Sequence, residues 1–155
     1  MMTNLTFDTF KPEYTEAFER LNIAWLEEFF LVEAYDRKVL SDPQHFIIEK
    51  GGHILVAKID NHIVGVVALM LVEKAVYELT KMAVDANYRG QNIGQRLMEF
   101  TLAFAKEKPI TSLILYSNRT LENAIYIYRK FGFEEIPLEV DNPYDRADIK
   151  MKLNI

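Results

Sequence analysis

The chain has no cysteine, which removes disulfides, thiolate metal sites and a cysteine nucleophile from consideration. Its three histidines, His45, His53 and His62, lie far apart without paired ligand spacing, so they read as surface or turn residues and no metal is expected. Long apolar runs are missing too. The longest, Ile63 to Val72, has ten residues, against about 20 for a membrane-spanning helix. Rich in valine and interrupted by Gly65, it reads as a buried strand. Met1 to Phe10 contains no basic segment followed by an apolar one, so no secretory signal and no membrane partner are expected, and the protein is expected to be cytoplasmic. Positive charge is in short supply as well: a formal net charge of −5 argues against nucleic acid as a partner.

What the chain does have is half of its 155 residues apolar and an average content of charge, the composition of an ordinary globular domain. A chain of this length buries about two-thirds of its unfolded surface. Its charge is unevenly placed. Residues 89–130 carry a net +4, whereas residues 1–50, 51–88 and 131–155 carry −5, −1 and −3.

Alternation of Leu5, Phe7 and Thr9 with Thr6 and Asp8 predicts a first strand before Pro12. From Glu13 to about Val39 the apolar residues Phe18, Leu21, Trp25 and Phe29 recur at helical spacing, with a break somewhere after Trp25 giving two helices, until Asp42 and Pro43 end the pattern. His53–Ile59 and Ile63–Val72, joined by Asp60, Asn61 and His62, predict a hairpin, and Ala75–Val84 a further strand. A helical stripe at Ile93, Leu97, Phe100 and Phe104 stops before Pro109. Strand 112–118, helix 121–131, a short strand near Phe133 and a terminal strand with Ala147, Ile149 and Met151 on one face complete the order. Antiparallel hairpins followed by strands linked through helices predict an α/β fold with a mixed sheet and helices on both faces.

One segment stands out. Val84 to Leu97 reads as a strand end, a glycine-containing loop and the start of a helix, which presents unpaired backbone N–H groups to an anion. Gly90 and Gly94 permit tight turning and close approach of a ligand, Asn92 tolerates positive φ, and Arg89 and Arg96 add charge. The loop lacks the Gly-Lys-Ser/Thr ending of a P-loop and the spacing of a dinucleotide fingerprint. No Gly-x-Ser-x-Gly elbow is present. About thirty residues on, the run Leu113–Asn118 leads into Leu121–Phe133.

Together the two segments resemble the acyl-CoA-binding motifs of the GCN5-related N-acetyltransferase (GNAT) superfamily. Arg89 to Gly94 fits that family's loop of Arg or Gln, two free positions, Gly, one free position and Gly or Ala, with Asn92 in place of the middle Gly. Asn123, Ala124, Ile127, Tyr128, Arg129, Lys130, Phe131, Gly132 and Phe133 fit the second motif. The order of elements follows the family over nearly the whole chain. The resemblance implies a single N-acetyltransferase domain over residues 1–155, with a mostly antiparallel central sheet of about six to seven strands in the acyl-CoA N-acyltransferase fold.

It further implies acetyl-CoA as co-substrate, with the pantetheine arm lying between strands that splay apart at Val84 and Asn118. The residues it assigns to the cofactor are Met82, Ala83, Val84, Arg89, Gly90, Gln91, Asn92, Ile93, Gly94, Gln95, Asn118, Asn123 and Tyr128. Backbone N–H groups around Met82, Ala83 and Val84 would polarise the carbonyl, and Tyr128 would serve the leaving thiolate. Tyr128 also belongs to an apolar stripe with Leu121, Ala124 and Ile125, which places its ring in the core whatever its hydroxyl does. Glu78, on the strand bordering the acetyl group and read as sharing a face with Thr80 and Met82, is the candidate base. Residues 13–42 would cover the acceptor side, with Trp25, Phe29, Phe30 and Tyr35 available to line it. The acidic group Glu27, Glu28, Glu33 and Asp36 favours a cationic acceptor, either a small molecule or a peptide amine. A homodimer is common among related folds. The alternative is a module that binds acyl-CoA without transferring it.

Overall fold

The structure, a computed structural model, describes residues 4–155; Met1 to Thr3, where the stretch read for a secretory signal begins, lie outside them. Among the described residues the α-helices and strands are, in chain order, β1 (Leu5–Thr9), α1 (Thr15–Phe29), α2 (Ala34–Ser41), β2 (His53–Ile59), β3 (His62–Glu73), β4 (Val76–Val84), α3 (Ile93–Lys106), β5 (Ser112–Ser117), α4 (Glu122–Lys130), β6 (Glu134–Ile136) and β7 (Ile149–Asn154). The strands form one sheet in the order β1-β2-β3-β4-β5-β7-β6. Every neighbouring pair is antiparallel except β4 and β5, so the mixed sheet expected from the sequence is present. No helix among the described residues is long and apolar enough to cross a membrane.

Alternation along the central strands builds two cores. On one face Leu55, Val67, Leu69 and Leu79 pack with Ile93, Leu97 and Met98 of α3, and Ile125 and Tyr128 of α4 lean against them. On the other face Ile54, Val56, Val66 and Ala68 pack with Phe18 and Leu21 of α1 and with Val39 and Leu40 of α2. Gly65 lets α3 lie close to the sheet, since a Cβ there would stand 3.4 Å from both Ile93 Cγ2 and Leu97 Cδ2.

The break expected after Trp25 falls at Phe30, which is extended with φ −148° and ψ −161°. A capping box restarts the chain as α2: the Glu33 N–H donates to Asp36 Oδ2 at 3.0 Å while the Glu33 side chain accepts from the backbone at Asp36. A one-turn π-helix at Gln44–Ile48 was not expected. The terminal strand begins at Ile149, later than the alternation suggests, because Ala147 closes a turn by donating its N–H to the Tyr144 carbonyl at 3.2 Å.

Two irregularities in β4 position the site. Val66 and Ala68 of β3 pair with Ala83 and Thr80, so Lys81 and Met82 together oppose Val67 in a bulge, with Lys81 at φ +56°. The reading that put Glu78, Thr80 and Met82 on one face is thereby corrected: past the extra residue Met82 and Val84 join the α3 core, and Ala83 joins the α1 core. In addition, β4 pairs with β5 only through Val76–Glu78 and Ser112–Ile114. Beyond that point the two strands part.

Candidate active site

A cavity of about 560 Å³ fills the gap where β4 leaves β5. Its walls are Leu79–Val84 of β4, Tyr116 to Asn118 at the end of β5, Trp25, Phe29 and Phe30 from α1 and its exit, Gly94 and Met98 of α3, the first turns of α4, and Tyr144 and Arg146 from the loop between β6 and β7. It is therefore built from both sheet faces at the point where the sheet is incomplete. The β5-facing edge of β4 past Glu78 has no strand against it, which leaves main-chain polar groups available to a ligand.

At one end of the cavity stands the glycine-containing loop. Asp85 ties it down, its side chain accepting from the Asn87 N–H at 2.9 Å and its own N–H donating to the Val64 carbonyl at 2.8 Å. Gly90 has φ +81°, with open space where a Cβ would stand, and Asn92 takes φ +60° and ψ +20°. Asn92 thus adopts the left-handed conformation for which the family motif carries glycine, which Asn tolerates better than most residues. The first main-chain bond of α3 runs from the Arg96 N–H to the Asn92 carbonyl, 3.0 Å long, so the N–H groups of Ile93, Gly94 and Gln95 lie ahead of the helical ladder. With the helix dipole behind them they offer the unpaired donors and positive end that suit an anion.

Tyr128 occupies the opposite wall. Its ring meets Phe133 edge-on, with centroids 6.0 Å apart, and it leans on the α3-side core. Burial pushes its hydroxyl up to about 12, with no hydrogen bond contributing. The group is therefore a neutral O–H donor at any physiological pH.

The far end, under α1 and α2, is a charged cluster. Arg146 donates to Asp36 Oδ2 at 2.8 Å, to Asp36 Oδ1 at 3.0 Å and to Glu33 Oε2 at 2.9 Å. Lys81 is buried beneath the Tyr35 and Tyr144 rings, 5.4 and 5.1 Å from their centroids. Its Nζ has no hydrogen-bond partner among the described residues, Asp36 Oδ1 being 3.7 Å away. Burial lowers the Lys81 pKa against the opposing charges of Asp36 and Glu78. Glu78 is itself buried, and its Oε2 accepts from the Tyr144 hydroxyl at 2.8 Å. Burial raises its pKa, while the bonds from Tyr144 and Thr80 and the charges of Lys81 and Lys150 pull the other way.

The residues singled out in the sequence fall into three groups. Met82, Ala83, Val84, Arg89, Gly94, Asn118, Asn123 and Tyr128 line the cavity. Gly90, Gln91, Asn92, Ile93 and Gln95 do not: they stand on the loop and first helical turn beyond it, with the Ile93 side chain buried in the core and Gln95 Oε1 accepting from Lys130 Nζ at 3.2 Å. Glu78 lies behind the wall, covered by Tyr144.

Several predicted groups are already engaged. Arg89 donates to Glu28 at 2.9 Å and stacks on Phe29, 5.6 Å from its ring centre. Asn118 donates to the Arg146 carbonyl at 2.7 Å and accepts from the Thr120 N–H and hydroxyl, so its amide fastens the end of β5 to the β6–β7 loop. Of the acidic group read as favouring a cationic acceptor, Glu28 is paired with Arg89, and Glu33 and Asp36 with Arg146. Three of the four thus face a guanidinium of the protein itself, Glu33 and Asp36 sharing one. Tyr144, Arg146 and Lys81 escaped the sequence reading. The first two belong to an irregular loop with no periodicity, and an alternating strand gives no sign of the bulge that turns Lys81 inward.

The family model of the acetyltransferase (GNAT) domain matches residues 50–135, a span that includes β4, the loop, α3, β5 and α4. The chain belongs to the GNAT acetyltransferase family. Among curated proteins it is similar to N-acetylaspartate synthetase of Xenopus tropicalis, 32% identical over 94 residues that make up 60% of this chain and 35% of that protein. The chain spans less than half the length of the first curated relatives it matches. Among solved structures it resembles a GNAT-family acetyltransferase from Staphylococcus aureus Mu50, with a TM-score of 0.84, 22% identity and coverage of 97% of this chain and 98% of that one. It also resembles the PaiA N-acetyltransferase of Thermoplasma acidophilum in complex with coenzyme A, with a TM-score of 0.79, 18% identity and coverage of 99% and 100%. These likenesses define the acyl-CoA N-acyltransferase fold.

Proposed function

We propose that the protein transfers the acetyl group of acetyl-CoA to a primary amine of a small molecule or peptide by direct attack on the thioester. The observation that carries this reading is the cleft between the parted strands β4 and β5, with the start of α3 at one end and Tyr128 among its lining residues. The PaiA structure, so similar in fold, holds coenzyme A. An acidic phosphate group suits the main chain of Gly90 to Gln95, where Gly90 leaves open space and the helix dipole favours an anion.

Acetyl-CoA supplies an acyl group activated as a thioester; the rest falls to the chain. Main-chain N–H groups on the free edge of β4, around Met82, Ala83 and Val84, are available to the carbonyl oxygen as charge develops on it. Tyr128 donates a hydrogen bond to the departing sulfur. With its pKa near 12 against about 8.5 for a cysteine-like thiol, full proton transfer is uphill by roughly 5 kcal/mol, so Tyr128 acts as donor and keeps its proton. Asn123 and Glu122 at the start of α4 line the same wall.

The test is thiol release from acetyl-CoA with a panel of amino acids, peptides with free amino termini, polyamines and small amines, the acetylated product being identified by mass spectrometry. Release with at least one amine supports the reading. Bound acetyl-CoA with no release across the panel would overturn it in favour of a non-catalytic acyl-CoA-binding module.

A further inference from the structure

We propose that Tyr144 takes the proton from the acceptor amine and hands its own to Glu78, so that the base of the reaction is a two-residue relay. The proposal rests on the acetyl-transfer reading and adds to it a catalytic residue.

Three observations lead to it. Glu78 is buried and does not line the cavity, whereas Tyr144, directly in front of it, does. The Tyr144 hydroxyl donates to Glu78 Oε2 at 2.8 Å, which commits its proton to the carboxylate; the Thr80 hydroxyl, 3.3 Å away, can take one of the two lone pairs of the phenolic oxygen, and an amine the other. Tyr144 is also held in place on every side. Its ring stands 6.0 Å from that of Tyr35 and 5.7 Å from that of Tyr116, Lys81 and Arg146 lie over it, and its N–H donates to Asn142 Oδ1 at 2.9 Å. An amine in the cavity thus meets the tyrosine before it can meet the carboxylate.

The step balances. An ammonium N–H proton passes to Tyr144 Oη as the Tyr144 proton passes to Glu78 Oε2, and the freed nitrogen lone pair attacks the thioester carbonyl. The carbon–sulfur bond breaks, and the second proton lost by nitrogen ends on the thiolate, giving amide and thiol. Glu78 then releases its proton to solvent and Tyr144 is restored.

The groups around Glu78 suit this role. Lys81 on its own strand and Lys150 on β7 favour its ionised form, the Tyr144 hydroxyl bonds to it with Thr80 Oγ1 3.3 Å from that hydroxyl, and Tyr35 and Asp36 of α2 face the same cluster. Burial outweighs these and raises its proton affinity above that of a surface glutamate. Burial raises Tyr144 as well, well above the ordinary phenol range, so tyrosinate does not accumulate and the two proton transfers run together.

The test is the pH dependence of kcat/KM for wild type, Tyr144→Phe, Glu78→Gln and the double variant, with circular dichroism as the check on folding. The relay requires each single variant to lose on the order of 10²-fold at pH 7, within the usual range for general base catalysis, and the double variant to lose no more. Both single variants should recover towards pH 10, where the free amine needs no base. Equal loss at every pH would assign both residues to structure alone, and an active Tyr144→Phe beside an impaired Glu78→Gln would make Glu78 a direct base; either overturns the relay. If the wild type releases no thiol with any amine, the transfer reading falls and the relay with it.

Discussion

Arg146 grips Asp36 with both arms of its guanidinium, Nη1 to Oδ2 at 2.8 Å and Nη2 to Oδ1 at 3.0 Å, and so fastens the β6–β7 loop to α2 across the end of the cavity. Asp36 is fully buried, and burial alone would raise its pKa. The bonds from Arg146 and the Glu33 N–H, with the charges of Arg146 and Lys81, outweigh burial and hold it below the ordinary aspartate value.

Removing one partner of this pair leaves the other uncompensated. Arg146→Ala should cost about 3 kcal/mol, the low end for a buried pair because Arg146 keeps some solvent contact. The sign of the pH dependence follows from the depressed pKa: the stabilisation is present above the unfolded value near 3.9 and is lost as pH falls through the lower folded value. Urea unfolding of wild type and Arg146→Ala should give a constant difference between about pH 7 and 5 that narrows below about pH 4. A difference independent of pH down to the acid transition would exclude Asp36 ionisation as its source.

Tyr128→Phe keeps the edge-on ring contact with Phe133 and removes only the hydroxyl. Fold stability and acetyl-CoA affinity should stay close to wild type, while kcat falls on the order of 10²-fold, the scale of losing one donor to developing charge. Because the hydroxyl ionises only near 12, the wild-type rate should show no alkaline decline from Tyr128 below about pH 11. Steady-state kinetics across pH would check both statements, and an unchanged kcat in Tyr128→Phe would remove the residue from the chemistry.

Asn92 stands at φ +60° without a side-chain cap to the helix, so its fitness for the position is conformational. Asn92→Ala should cost about 1 kcal/mol, a lowering of the melting temperature by about 3 °C, and Asn92→Gly should cost nothing or stabilise slightly. Differential scanning calorimetry would show the order. An alanine variant as stable as wild type would mean that the loop is not held in this conformation.

The parts of this site that are local in sequence were legible there, and those assembled at a distance were not. The loop and helix start follow from glycine and asparagine in one short segment, Tyr128 is singled out through the resemblance of the second segment to the family motif, and a break is expected somewhere after Trp25. The bulge at Lys81 was hidden, since one extra residue leaves the alternation on either side intact while turning Met82 to the opposite face. Tyr144 and Arg146 were hidden because a 12-residue connection between β6 and β7 has no period, and only the folded chain brings it against α2 and β4. The pairing of Arg89 with Glu28 and of Asp36 with Arg146 was likewise hidden from charge counting along the chain, because the partners are far apart in sequence.

The transfer chemistry depends on acetyl-CoA occupying the cleft with its phosphates at the start of α3. Calorimetric titration of acetyl-CoA into wild type and Gly94→Glu tests that most directly. A Cβ at Gly94 would meet only Val84 Cγ2, at 3.7 Å, an ordinary contact, so the variant should fold while placing a carboxylate among the amides meant for an anion. Binding to wild type that is lost by at least about 10-fold in a folded Gly94→Glu, or about 1.4 kcal/mol, is the expected result. Absence of binding to wild type, or equal binding to both proteins, would contradict the account.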